Sequence, residues 1–489
     1  MKLLAFDYGA SSGRGILGTY DGKKLQLNEI HRFSNDPVML NGTIYWDVLR
    51  LFHEMKTGIL KCIQEGHQDI SGIGVDTWGV DFGLLDEKGY LLENPVHYRD
   101  SRTDGMMEEV FSIIPKEELY MRTGIQFMKL NTIFQLYSLV KNRPELLERA
   151  STLLTAPDLL GYFLTGAVSS EFSEASTTQL MNPYTGDWDR ELMEKLGIPS
   201  RLFTPIVDSG TLKGLLLPEI CEDTGCNQAR VYSVVSHDTG SALAAVPAAP
   251  GEKFVFISCG TWSLLGAELE KPLINEKSLK YNYTNEGGIN RTTRFLKNIM
   301  GLWLMQECRN QWNKEGRNLS FADIDLHTMK AEPLVRFINP DDEIFLAPGN
   351  MPKRIADYCI RTGQTPPQTI GETSRCITES LALCYRLAIE RLEEMLGYKV
   401  DTIRLVGGGV KDKFLCQFAA NAIGRPVIAG PVEATAIGNI AVQLMCEDVF
   451  ANLEDGAVKT ALAVKLFGKS GMDMIPFLNQ GAAGITQLT

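Results

Sequence analysis

The chain spells one short structural phrase twice, and that repetition limits its fold more than any other feature. Leu3-Leu4-Ala5-Phe6 is an apolar run that ends in the small polar turn Asp7-Tyr8-Gly9-Ala10-Ser11-Ser12-Gly13-Arg14, and a second strand, Gly15 to Tyr20, returns from it. Around Lys253 the phrase recurs: Phe254-Val255-Phe256-Ile257, then Ser258-Cys259-Gly260-Thr261-Trp262-Ser263, then Leu264 to Leu269. Self-similarity of this kind points to duplication of one α/β unit, although the matched stretch is short. The 489 residues suffice for two such units, each closing its own core. Pro and Gly at Pro247–Gly251 separate two apolar stretches, which divides the chain into 1–246 and 247–489.

The intervening pattern is also α/β. A turn at Asp21-Gly22 leads to a third strand near Leu25–Leu27, and Val48, Phe52, Met55, Ile59 and Cys62 recur at helical spacing. Ile70 to Val75 and Val80 to Leu85 read as strands. Late in the chain, Glu372 to Leu396 is predicted as a helix stopped by Gly397. Thr402 to Val406 then runs as a strand into Gly407-Gly408-Gly409 and a helix that ends at Gly424. Composition removes several function classes. The net charge of −12 argues against a nucleic-acid footprint or a polybasic membrane contact, both of which need positive charge facing phosphate. No secretory leader or membrane span is expected. The ten cysteines form no Cys-x-x-Cys pair, which suits a reducing cytoplasm. Cys359 and Cys376 bracket a Pro-rich loop and are expected as two free thiols in that compartment, with a bridge the alternative under oxidation.

Three familiar motifs fail on context. Gly9 to Gly13 matches G-x-S-x-G, but a nucleophile elbow needs a helix after it, and here a strand follows. Gly468-Lys469-Ser470 has a P-loop ending with Ala463 in place of the first glycine. The glycines near Gly72, Gly74 and Gly79 miss the dinucleotide spacing. What remains is a polar turn able to wrap phosphate oxygens, with Asp7 facing the same phosphates across a Mg²⁺ ion. A plain surface hairpin explains that turn equally well when taken alone; a second copy and a Gly triplet before a helix favour phosphate. Val231 to Val235 reads as a strand leading to Ser236-His237-Asp238-Thr239-Gly240-Ser241. This turn admits two readings: Ser236 or Asp238 caps the helix that follows, or Asp238 is a base that takes a hydroxyl proton in phosphoryl transfer. Trp78, Trp262 and Trp303 are core aromatics by default, or flat walls for a sugar ring. Arg99-Asp100-Ser101-Arg102 is either a solvated charge run or part of that wall.

The opening turn, Gly260-Thr261-Trp262-Ser263 and the Gly407–Gly409 loop resemble the FGGY carbohydrate kinases, within the actin, hexokinase and heat-shock ATPase superfamily. Asp76-Thr77-Trp78-Gly79-Val80-Asp81-Phe82, Tyr98-Arg99-Asp100-Ser101-Arg102-Thr103, Ser236-His237-Asp238-Thr239, Leu296 to Trp303 and Gly430 to Thr435 resemble members that act on L-rhamnulose. These blocks span residues 3 to about 445. The resemblance implies two RNase H-like α/β domains around a central cleft, and transfer of the ATP γ-phosphoryl group to O1 of L-rhamnulose. It assigns Asp238 as catalytic base and Gly79, His237, Thr239 and Asn298, with Asp238, as sugar contacts. Ala10, Ser11, Ser12, Gly13, Arg14, Thr261, Gln306 and Gly408 fall on the nucleotide side, and Asp7 on Mg²⁺ through water. Cys259 stands where the family usually has serine; backbone amides do the binding there, so little changes. Three rivals remain: a kinase of another ketose such as L-fuculose or D-xylulose, an actin-like ATPase without a sugar, and a sugar-sensing repressor. The last is expected to open with a DNA-reading helix-turn-helix, whereas residue 3 already enters a strand. Oligomeric state is left open, a monomer being compatible.

Overall fold

The computed structural model describes residues 1–246, 251–447, 449 and 475–477. Within them the chain forms two compact units. The first comprises the described parts of Met1–Pro250, Glu268–Leu296 and Ala434–Gly471, and the second the described parts of Gly251–Ala267, Lys297–Glu433 and Met472–Thr489. Pro247–Pro250, in the expected boundary, and Gly468-Lys469-Ser470 lie outside the described residues.

The first unit is built on a six-stranded sheet in the order Thr211–Leu215, Arg230–Ser233, Ile70–Thr77, Lys2–Tyr8, Ser12–Tyr20, Leu25–Ser34. Lys2–Tyr8 is antiparallel to Ser12–Tyr20 and parallel to Ile70–Thr77, which in turn is parallel to Arg230–Ser233. The central strand is buried on both faces, which explains why Leu3 to Phe6 read as a continuous apolar run rather than an alternating one. The second unit repeats these pairings. Phe254–Cys259 is antiparallel to Trp262–Leu269 and parallel to Thr402–Val406, and Thr402–Val406 is parallel to Val427–Ala429. Each sheet is closed at one edge by an antiparallel strand, Thr211–Leu215 in the first and Ile475–Phe477 in the second. One topology is therefore used twice, as the repeated opening predicts.

Helices sit where the apolar spacing puts them. Val48–Gln64 is capped by Asp47, whose side chain accepts from the Arg50 N–H, and buries Val48, Leu51, Met55, Ile59 and Cys62. Ile370–Leu396 starts two residues before the expected Glu372, because Thr369 and Glu372 cap it reciprocally, and it ends at Gly397 with φ 74°. Between Ile70–Thr77 and Arg230–Ser233 the first unit carries an inserted region with its own apolar core, including Val110, Leu119, Ile133, Phe134, Leu153 and Leu192. All ten cysteines are free thiols, Cys359 and Cys376 included. Among the described residues no helix is long and apolar enough to cross a membrane.

Candidate active site

In the first unit, three parallel strands end together, and the candidate residues lie just past those ends. The register pairs Asp7 with Asp76 and Tyr8 with Thr77, and Thr77 bridges on to His237. Loops beyond the carboxyl ends of a parallel sheet are where α/β folds bind ligands.

The first loop is tighter than expected. Strand pairing continues through Asp7 with Arg14 and Tyr8 with Gly13, so only Gly9, Ala10 and Ser11 remain outside the ladder. The Gly9 N–H donates to the Ser12 carbonyl at 3.0 Å. Asn35 ties the loop's carbonyls: its side-chain amide donates to Gly9 O at 2.9 Å, and its backbone N–H donates to Ser11 O at 3.1 Å. Gly13 is required by packing, since a Cβ there would lie 2.2 Å from the Phe33 ring. Asp7 is buried, and Arg14, expected on the nucleotide, donates to its carboxylate at 2.5 Å. Among the described residues no cluster of three or more His, Cys, Asp or Glu could cage a metal. One carboxylate at a phosphate loop fits Mg²⁺ that enters with a nucleotide and keeps mostly phosphate and water ligands. Beside Asp7, Asp76 is fully buried, with one oxygen accepting from Asn439 Nδ2 at 2.6 Å. Burial, reinforced by the Asp7 and Asp238 charges, pushes its pKa well above the usual carboxylate range.

The second strand end carries Trp78, Gly79, Val80 and Asp81. A Cβ on Gly79 would lie 3.1 Å from the His237 ring and 3.2 Å from the Thr177 methyl, so this glycine lets the two turns approach. Val80 adopts φ 69°, a region that L side chains avoid and β-branched ones most of all. Its neighbours hold it there: its N–H donates to Thr177 Oγ1 at 3.2 Å, and its carbonyl accepts from Thr132 Oγ1 at 2.6 Å. Asp81, buried beneath, accepts from Trp46 Nε1 at 2.5 Å, Trp78 Nε1 at 3.0 Å and Gln135 Nε2 at 3.1 Å. Burial outweighs those donors and pushes its pKa up to about 6. Trp78 is thus a core aromatic, its ring 4.1 Å from that of Trp46, while His97 stacks on Trp46 and is driven down to about 3 by burial and then by Arg99. Of the Arg99–Arg102 run, Arg99 and Asp100 are buried, with Asp100 accepting from Ile44 N–H at 2.8 Å; Arg102 is half-buried and donates to Gln135 at 2.6 Å, and Ser101 is exposed.

At the third strand end neither Ser236 nor Asp238, the two residues expected as cap, caps the helix that follows. His237 is the cap of helix Asp238–Ala244, its Nδ1 accepting from Thr239 N–H at 3.1 Å. The same Nδ1 lies 3.1 Å from Asp238 Oδ1. Thr239 N–H and Oγ1–H also donate to Oδ1. Among the described residues the partners of this carboxylate fall on Oδ1. Burial raises its pKa, yet the bonds from His237 and Thr239 prevail and hold it below the usual carboxylate value. At neutral pH the group is an anion with one oxygen fixed.

The remaining predicted residues belong to the second unit. Gly260 N–H donates to Trp262 O at 2.8 Å, the counterpart of the Gly9 bond. The loop's carbonyls are again tied: Gly260 O accepts from Leu302 N–H at 2.9 Å, and Thr261 O accepts from Gly301 and Trp303 N–H at 3.2 Å each. Gly409 packs on this loop, since a Cβ there would lie 2.3 Å from Cys259 Sγ. A Cβ on Gly408 would meet no atom within 4 Å, so packing does not account for that glycine. Asn298 lies in strand Thr293–Met300, and Gln306 on helix Trp303–Lys314. Asp76, Asn35 and Asp81 were not among the expected site residues. Asp76 alone had a local signal, an acid at a strand end like Asp7.

Two family models match this arrangement: the N-terminal domain of the FGGY family of carbohydrate kinases over residues 2–245, and its C-terminal domain over residues 255–446. The chain belongs to the FGGY family of carbohydrate kinases. It is 46% identical over 451 residues to the rhamnulokinase of Oceanobacillus iheyensis, covering 92% of this chain and 94% of that protein. It is 44% identical over 444 residues to the rhamnulokinase of Bacteroides thetaiotaomicron, covering 91% and 90% respectively. The fold matches ligand-bound xylulose kinase from Lactobacillus acidophilus with a TM-score of 0.76 at 14% identity, over 98% of this chain and 94% of that one.

Proposed function

We propose that the chain transfers the γ-phosphoryl group of ATP to O1 of L-rhamnulose, releasing ADP and L-rhamnulose 1-phosphate in a reducing cytoplasm. The observation that carries this reading is identity of 46% with a rhamnulokinase over nearly the full length of both chains. The strained, packed turn Trp78–Asp81 and the ionised Asp238 supply chemistry in accord with it. Asp238 accepts the hydrogen of the O1 hydroxyl through Oδ2 while Oδ1 stays bound by Thr239, and takes the proton as the bond to phosphorus forms. A fixed anion needs no reorientation at that step, so positioning supplies much of the acceleration. Gly79, His237, Thr239 and Asn298 hold the sugar. Ala10, Ser11, Ser12, Gly13, Arg14, Thr261, Gln306 and Gly408 hold the nucleotide, the loops presenting amides because their carbonyls are tied elsewhere. Bound Mg²⁺, which Asp7 would hold through water, supplies charge neutralisation on the phosphate oxygens.

The test is ADP release across a panel of ketoses with Mg²⁺-ATP, with the product's phosphate position read by NMR. L-rhamnulose is expected to give the highest kcat/KM and a 1-phosphate. Equal turnover without any sugar, or a clear preference for D-xylulose or L-fuculose, would overturn the assignment.

A further inference from the structure

The two residues that precede Asp238 hang from a buried carboxylate. Glu171 is fully buried at the start of helix Phe172–Thr177, and its Oε2 accepts from Ser173 N–H at 2.9 Å, Ser173 Oγ–H at 2.5 Å and Glu174 N–H at 3.2 Å. The same oxygen accepts from Ser236 N–H at 3.2 Å, and Ser173 Oγ accepts from His237 N–H at 3.1 Å. Its other oxygen accepts from Ser209 Oγ–H at 2.6 Å. Two consecutive backbone amides of the turn therefore end on one Glu–Ser pair, 65 and 64 residues away in the chain. At the far end of the same short helix, Thr177 holds Val80 N–H and touches the Gly79 position.

We propose that Glu171, acting through Ser173, is a positioning residue for phosphoryl transfer: it sets the Ser236–His237 backbone, and so where Asp238 Oδ2 stands. This rests on the function proposed above. The geometry explains the residue type. Five donors converge on two oxygens, which an acceptor-only carboxylate satisfies. Glutamine brings its own N–H₂ against one set of those donors, so one part of the turn must move. A displacement of about 1 Å at a reacting group costs on the order of a hundredfold in rate. The nucleotide loops make none of these contacts, so the effect belongs to kcat rather than to ATP binding.

The experiment compares Glu171→Gln, Ser173→Ala and Ser209→Ala in steady-state kinetics with L-rhamnulose and Mg²⁺-ATP, with thermal melts as a check on folding. Glu171→Gln is expected to lower kcat roughly a hundredfold and Ser173→Ala roughly tenfold, both with the KM for ATP within about twofold of the parent. Ser209→Ala, which removes a donor from the oxygen that does not touch the turn, is expected to keep kcat within about twofold. If Glu171→Gln does not fold, Ser173→Ala decides. A kcat near the parent's in Ser173→Ala, a matching rise in the KM for ATP, or an equal loss in Ser209→Ala would overturn the proposal. Failure of the parent protein to phosphorylate L-rhamnulose would instead overturn the function on which it rests, and would be seen before any variant is made.

Discussion

Gly438→Ala adds one methyl group where two helices of the first unit meet. Helix Ala434–Cys446 packs on helix Asp238–Ala244, and a Cβ at 438 would lie 1.8 Å from the Ser241 carbonyl oxygen and 2.7 Å from its carbon. The obstacle is helix backbone, which has no rotamer by which to yield. The helices must separate by about 1.2 Å to reach even the 3.0 Å that real contacts rarely go below. On propensity alone the change would stabilise the helix by about 1 kcal/mol. Overpacking costs about 1–3 kcal/mol, and a backbone clash belongs at the top of that range. The net expectation is a loss of about 2 kcal/mol, seen as a Tm lower by about 2–3 °C. Because Ser241 lies three residues after Asp238, the displacement reaches the base, and kcat should fall by on the order of a hundredfold. The assays are thermal or urea unfolding together with ketose-dependent ADP release. A variant as stable and as active as the parent would refute the claim that this contact sets the position of the Asp238 helix.

The counterpart is Gly408→Ala, whose new methyl meets no protein atom: the Tm should stay within about 1 °C while the KM for ATP rises about tenfold, and an unchanged KM would remove Gly408 from the nucleotide site. Asp81 predicts a pH dependence of stability. Its folded-state pKa is raised from 3.8 to about 6, so the folded protein binds the proton more tightly and the group's contribution falls as pH rises through that window. The stability gap between the parent and Asp81→Asn, measured by urea unfolding, should shift by roughly 2 kcal/mol against the parent from pH 4 to pH 7; a gap constant with pH would contradict the buried, raised carboxyl.

The parts of this molecule legible in its sequence are those written locally. The doubled strand-turn-strand phrase gives the repeated topology, since Leu3–Phe6 and Phe254–Ile257 are continuous apolar runs and each ends in small polar residues. Asp238 is legible as an acid after a predicted strand, although the same local pattern serves a helix cap, and here His237 does the capping. The unread parts are long-range. Asn439 reaches Asp76 across 363 residues, and nothing near either residue announces the bond. Asn35 secures the first loop from 26 residues away, and Asp81 is a hydrogen-bond centre only because Trp46, Trp78 and Gln135 converge on it. Trp78 reads by default as a core ring, with a sugar wall the alternative, and its indole N–H on that carboxylate is what decides for the core. The tightness of the first loop was also hidden, because the pairing of Asp7 with Arg14 depends on the twist of a complete sheet.

The most direct measurement is the turnover of Asp238→Asn with L-rhamnulose and Mg²⁺-ATP. Asparagine keeps the shape but not the charge that the proposed function has accept the O1 proton. A folded variant with kcat reduced by about 10²–10⁴ and sugar KM changed only a few-fold is the expected result. Turnover near that of the parent protein would contradict it.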